Sequence, residues 1–235
     1  MSHPLIPGLI TVIDVLDGAV LDKLLVWLGT REGYAWADEP GHGSGGGGNR
    51  RWETGPSHTA MEQGLCYKRR HGSTMNDVIR MITGCFSLIF PELKEWAEDT
   101  GRVQALCRFY GPGEVMARHT DRPRYGSLIL GIIVKATDSG TGLQWFEKSD
   151  RNDTTADPVY RLEEEENLGY LMSGPSRTDY LHSVTKPGIG QSRWSITLRF
   201  FPKEKNTGKP KRFREDNTEL GTPVMHPDYP NVRIG

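Results

Sequence analysis

Cysteine is scarce in this chain, with only Cys66, Cys85 and Cys107 among 235 residues. An odd number without metal-type spacing makes neither a disulfide framework nor a zinc site. It suits free thiols in a reducing compartment, the cytoplasm or the nucleus. Long apolar runs are also missing, none reaching the roughly 20 residues a membrane-spanning helix needs. The first residues do not read as a signal peptide, so no membrane partner is expected. Net charge is almost absent, 29 Lys and Arg against 30 Asp and Glu. The chain as a whole is therefore not built to hold a polyanion, and any nucleic-acid footprint must be local. The length suits one domain, or one domain with an appendage, read as a monomer with a real core.

Glycine and proline are plentiful and mark the loops. Residues 5–13 read as a short strand. Asp14 or Asp17 then caps a helix carrying Val20, Leu21, Leu24, Leu25 and Leu28 on one stripe, ended by Gly29 or Gly33. Residues 38–49, DEPGHGSGGGGN, read as a flexible loop. Across 74–99 the apolar period is helical: Met75, Val78, Ile79 and Ile82 share a face, followed by Phe86, Leu88 and Ile89. Pro91 restarts the chain in a first-turn position ahead of Leu93 and Trp96. From Val103 onward the pattern is strand-like, with a buried strand over 128–134, another ending at Trp145 and Phe146, and further strands over 170–172, 180–184 and 192–201. The polar stretch 148–158 reads as a loop, and the carboxylate run 163–167 as a charged turn or, alternatively, a substrate-repelling wall. Many short strands after two or three helices suggest an α+β chain with supporting N-terminal helices, and its double-stranded β-helix, or jelly-roll, topology is what resemblance to a known family supplies.

The chemistry concentrates in 108–121, RFYGPGEVMARHTD. Residues two apart on a strand face the same way, so His119 and Asp121 present an imidazole and a carboxylate to one point. His182 is the candidate third ligand. Two His and one carboxylate with open positions form the facial triad of non-haem Fe(II) oxygenases. Eleven residues beyond His182, RWSITLR alternates Trp194, Ile196 and Leu198 with Arg193, Ser195, Thr197 and Arg199. Its polar face reads either as a solvated surface or as a seat for a dicarboxylate, which guanidinium grips with two bonds.

With these motifs in register, the chain resembles the AlkB-like Fe(II)/2-oxoglutarate-dependent dioxygenases. Tyr110 stands nine residues before His119, with Gly111-Pro112-Gly113 between them, and RWSITLR matches the closing family element. The stretches 7–14 and 169–177 are also similar, and the likeness is densest over 108–201. The resemblance implies that His119, Asp121 and His182 hold Fe(II). It also implies that 2-oxoglutarate and O₂ are co-substrates, and that Arg193, helped by the Tyr110 hydroxyl, anchors the far carboxylate. Arg199 closes the near side, Ser195 and Thr197 line the pocket, and which Arg meets which carboxylate stays open. It places one dioxygenase domain at 1–202, with 38–72 covering the substrate. Within that lid, Arg50, Arg51, Trp52, Lys68, Arg69 and Arg70, with His71, read either as a phosphate-contacting, base-stacking surface or as a solvated basic loop. The basic, Pro- and Gly-rich tail at 203–235 reads as loosely held, a handle for nucleic acid or a solvated terminus.

Two residues depart from the family pattern. Arg108 stands where Asn usually binds the co-substrate, and Pro123 follows Arg122 where repair members often carry an acid near the flipped base. The implied activity is oxidative demethylation of N-alkylated DNA or RNA bases, releasing formaldehyde, succinate and CO₂. The alternatives are a hydroxylase or demethylase of a protein side chain or small molecule, and a non-catalytic binding module on the same fold.

Overall fold

Two antiparallel sheets face one another across an apolar core in the computed structural model. It describes residues 6–29, 54–55, 71–121, 125–136 and 142–201, together with the backbone of 37–39, 49–53, 67–69, 214–216, 224–226 and 229–234. The strands are β1 (Leu9–Val12), β2 (Ala37–Glu39), β3 (Asn49–Thr54), β4 (Tyr67–Arg69), β5 (Val103–Tyr110), β6 (Met116–His119), β7 (Leu128–Lys135) and β8 (Leu143–Phe146). They continue with β9 (Tyr160–Arg161), β10 (Leu168–Ser173), β11 (Leu181–Val184), β12 (Arg193–Phe200), β13 (Arg214–Asp216), β14 (Val224–His226) and β15 (Tyr229–Ile234). The larger sheet runs β1-β10-β7-β12-β5-β3-β2 and the smaller β6-β11-β8-β9. The fold is thus α+β, a jelly roll with helices in its N-terminal part.

The chain divides into two compact units. One comprises Met1–Val15, Asp38–Arg51 and Cys107–Thr197, and the other Leu16–Ala37, Trp52–Leu106 and Leu198–Gly235. The first unit contains the core between the sheets. Leu9, Tyr110, Ile129, Ile133, Tyr170 and Met172 from the larger sheet meet Leu143, Trp145 and Val184 from the smaller, all nearly solvent-free. Burying each such side chain contributes about 1.5–3 kcal/mol before entropy is counted. Trp145 is fully buried, and its indole N–H donates to Ser176 O at 3.0 Å, so the polar end of the ring is satisfied. Register is set by pairs such as Tyr170 opposite Gly131. A Cβ on Gly131 would come within 2.1 Å of the Tyr170 ring, so glycine is what lets the ring lie over its partner strand.

The second unit carries the N-terminal helices. Helix α1 (Gly18–Gly29) is capped by Asp17, whose Oδ1 accepts from the Val20 N–H at 2.8 Å. It buries Leu24 and Leu28, and also Trp27, which lies beside the expected stripe. Helix α2 (Ser73–Phe86) buries Met75, Val78, Ile79, Ile82 and Phe86. Leu88 and Ile89 do not extend that face and are 87% and 48% exposed. The helix stops at Phe86, and the 3.6-residue period has no meaning in the turn beyond it. Pro91 opens a 3₁₀ turn (Pro91–Leu93) that leads into α3 (Lys94–Glu98). The Trp96 indole N–H donates to Phe201 O at 3.1 Å. Within the C-terminal stretch, β13 pairs parallel with β4 and β14 pairs antiparallel with β15. A short helix that the sequence pattern did not reveal, α4 (Gly174–Thr178), starts at a capping box between Ser173 and Ser176. Among the described residues, no helix is long and apolar enough to cross a membrane.

Candidate active site

The antiparallel pairing of β6 and β11 sets His119 directly opposite His182. Their ring centroids are 4.3 Å apart. Asp121 follows just beyond the end of β6, where the two-residue alternation still turns its carboxylate toward the same point. One ligand atom from each of His119, Asp121 and His182 lies within 4.8 Å of the other two. His182 Nε2 is 3.5 Å from Asp121 Oδ2, and both side chains are about 95% buried or more.

The His119 ring is oriented from behind. Its Nδ1 lies 2.8 Å from Ala117 O, and a carbonyl can only accept, so Nδ1 carries the proton. In the neutral ring the lone pair is then on Nε2, the tautomer that second-shell bonds impose on metal-ligating histidines. Two imidazole nitrogens and one carboxylate oxygen suit a divalent transition ion, and the set leaves coordination positions for other ligands. The donor set therefore fits an Fe(II) ion.

A second cluster in the same unit surrounds Arg193, near the start of β12. The side chain is 1% exposed. Its Nε and Nη2 each donate at 2.7 Å to the Glu164 carboxylate, and Nη1 donates at 2.9 Å to Ser195 Oγ. The guanidinium also lies 5.3 Å from the centre of the Tyr110 ring. Burial alone pulls the guanidinium pKa down, but the charge and hydrogen bonds of Glu164, with Tyr110 and Tyr170, hold it above the ordinary arginine range. Tyr110 reaches the other way as well, its hydroxyl 3.7 Å from Met116 Sδ on β6. Tyr170 bonds the Thr197 side chain, and burial pushes its phenol above the usual tyrosine range.

Glu164 is the residue the sequence did not single out. The 163–167 run was expected to be a charged turn, and Glu163, Glu165 and Glu166 are indeed exposed. The Glu164 side chain turns inward and is only 1% exposed, which corrects that reading at this position. Its Oε1 also accepts from the Leu143 N–H at 2.8 Å. Nothing local distinguishes one Glu among four. Only the pairing that brings 160–162 beside β8 selects it.

The other candidates are placed as follows. Arg108 is buried on β5, two residues before Tyr110. Arg199 belongs to the second unit, where its Nη1 donates to Gln104 Oε1 at 3.5 Å. Arg50, Arg51 and Trp52 fall on β3, and Lys68 and Arg69 on β4. Their side chains, and Arg70 and Pro123 altogether, lie outside the described residues. His71 is tied into the second unit. Its Nε2 meets Val103 O at 2.8 Å and Thr100 O at 3.1 Å, and Nδ1 meets Thr54 Oγ1 at 2.8 Å. Those bonds give it a structural role there. Beside the histidines, Arg118 lies 3.6 Å over the Phe146 ring and donates to the carbonyls of Asp150, Asp153 and Ala156, so it pins the polar loop that follows β8.

No family model and no curated protein matches the sequence. Solved structures do match the fold. A prolyl-4-hydroxylase from Pseudomonas putida aligns with a TM-score of 0.52 at 14% identity, over 83% of this chain and 93% of that one. A prolyl hydroxylase from Trichoplax adhaerens, solved with a hypoxia-inducible-factor peptide, gives a TM-score of 0.52 at 14% identity over 83% of each chain. OsALKBH1 gives 0.56 at 13% identity, over 82% of this chain and 98% of that one. This chain shares their fold, and its His119, Asp121 and His182 converge on one point within it.

Proposed function

We propose that the chain is an Fe(II)- and 2-oxoglutarate-dependent dioxygenase that demethylates N-alkylated nucleic-acid bases. The observation that carries the reading is the convergence of His119, Asp121 and His182, with ligand atoms within 4.8 Å, on an oriented His119 ring. The resemblance over 108–201 supports the cofactor set, and the neighbouring structures support the fold.

His119, Asp121 and His182 hold the ion. When bound, Fe(II) with 2-oxoglutarate and O₂ supplies hydroxylation of a C–H bond, with succinate and CO₂ released. Arg193 is the anchor for the far carboxylate of the co-substrate, braced by Ser195 and by the Tyr110 ring. Trp145, Leu143 and Val184 keep water from the core side of the site. If the hydroxylated carbon is bonded to a base nitrogen, the N–CH₂OH group loses formaldehyde and leaves N–H. The compartment fitting this chemistry and the free thiols is the cytoplasm or nucleus, and the working form is a monomer. Among the described residues, Cys85 is a free thiol.

The test uses the full chain with Fe(II), ascorbate and 2-oxoglutarate. Succinate formed without added substrate rejects a purely binding module. A panel of methylated oligonucleotides scored for formaldehyde then tests the substrate, alongside affinity that falls steeply with salt. The two prolyl hydroxylase neighbours favour a second reading, hydroxylation of a protein side chain. A peptide gaining one oxygen, with no formaldehyde from any oligonucleotide, would select it.

A further inference from the structure

The Arg193 seat already holds a carboxylate. Glu164 receives two hydrogen bonds from the guanidinium and one from the Leu143 N–H, and both side chains are 1% exposed. Its carboxylate rests on Gly142, where a Cβ would come within 2.5 Å of Glu164 Cδ. The backbone there has φ +120°, which favours glycine. These contacts make a fitted pocket for a carboxylate, and within it the Glu164 charge balances that of Arg193.

A second carboxylate brought to the same guanidinium would leave two anions against one cation out of water, which is strongly unfavourable. Glu164 is nevertheless well placed to leave. It sits in the short connection between β9 and β10, between exposed Glu163 and Glu165, so turning its side chain outward gives up the bonds to Arg193 and the Leu143 N–H but breaks no strand pairing.

We infer that Glu164 is an internal competitor for the co-substrate, occupying the place on Arg193 where the far carboxylate of 2-oxoglutarate binds, and so sets the affinity for it. The inference rests on the dioxygenase reading of the site. A seat filled by Glu164 nine-tenths of the time weakens apparent affinity about tenfold, because only the open fraction binds.

The experiment measures 2-oxoglutarate binding by calorimetry to the full chain loaded with Mn(II), comparing wild type with Glu164→Gln and Glu164→Asp. 2-Oxopentanoate, which lacks the far carboxylate, is the control ligand. Glu164→Gln is expected to bind 2-oxoglutarate about tenfold more tightly. Glu164→Asp, charged but too short to reach, should also bind more tightly than wild type, and 2-oxopentanoate should bind all three alike. Weaker or unchanged binding in both variants would mean that Glu164 only aligns Arg193, and would overturn the inference while leaving the proposed function standing. Tighter binding by Glu164→Gln alone would reduce the effect to nearby charge and overturn it too. Carbodiimide labelling of the wild-type chain needs no substitution: Glu164 should be protected in the free protein and modified once 2-oxoglutarate saturates, and continued protection would overturn the inference. If Mn(II) binds but no form binds 2-oxoglutarate, the proposed function fails with it.

Discussion

His182 Nε2 and Asp121 Oδ2 lie 3.5 Å apart, and both side chains are withdrawn from water. Two such groups at that distance need a shared proton or a shared cation. A divalent ion should therefore stabilise the fold. Mn(II) or Co(II) at about 100 times its Kd should add about 2.7 kcal/mol, read as a rise in Tm. His119→Ala, Asp121→Asn and His182→Ala should each remove that rise, while the exposed Asp179→Asn should keep it. Full retention of metal by His119→Ala would refute its ligand role.

Arg193 and Glu164 form a buried, bidentate pair, and such pairs are costly to break from one side. Arg193→Ala should lose stability in denaturant unfolding, but less than the roughly 3–5 kcal/mol that a trapped carboxylate costs, because Glu164 can turn out into solvent. Arg193→Lys keeps the charge and loses the fork, so it should cut 2-oxoglutarate turnover strongly. Replacing both residues with Met should recover most of the lost stability while turnover stays low. Wild-type turnover in Arg193→Lys would remove Arg193 from the anchor role.

Arg118 holds the loop after β8 by three carbonyls and by the Phe146 ring face. Arg118→Ala should release that loop and leave the sheets intact. Limited proteolysis within 148–156 should speed up about tenfold or more, with a global Tm change of only a few degrees. Unchanged cleavage would show that the loop is held by other contacts.

Tyr170 is buried, and its phenol titrates above the ordinary tyrosine range, desolvation being the main cause. Above about pH 10 the unfolded chain loses this proton and the folded chain keeps it. Stability is therefore complete below that range and falls as pH rises toward the folded value, by up to about 1.4 kcal/mol per pH unit. Tyr170→Phe should lose some stability at neutral pH with the Thr197 bond, but its alkaline slope should be shallower. Parallel slopes for the two proteins would contradict the assignment.

Local pattern was enough for several features. The alternation through 193–200 marks β12, the 3.6-residue period marks α2 up to Phe86, and the two-residue step sends His119 and Asp121 to one side. These follow from backbone geometry, which each residue shares with its near neighbours. The cross-strand pairing of His119 with His182, the burial of Glu164 rather than Glu163 or Glu165, and the exposure of Leu88 were decided by the tertiary structure. Each depends on which strand lies beside which, or on where a helix stops. Cross-strand partners dozens of residues away in sequence fix that, and no local spacing encodes them.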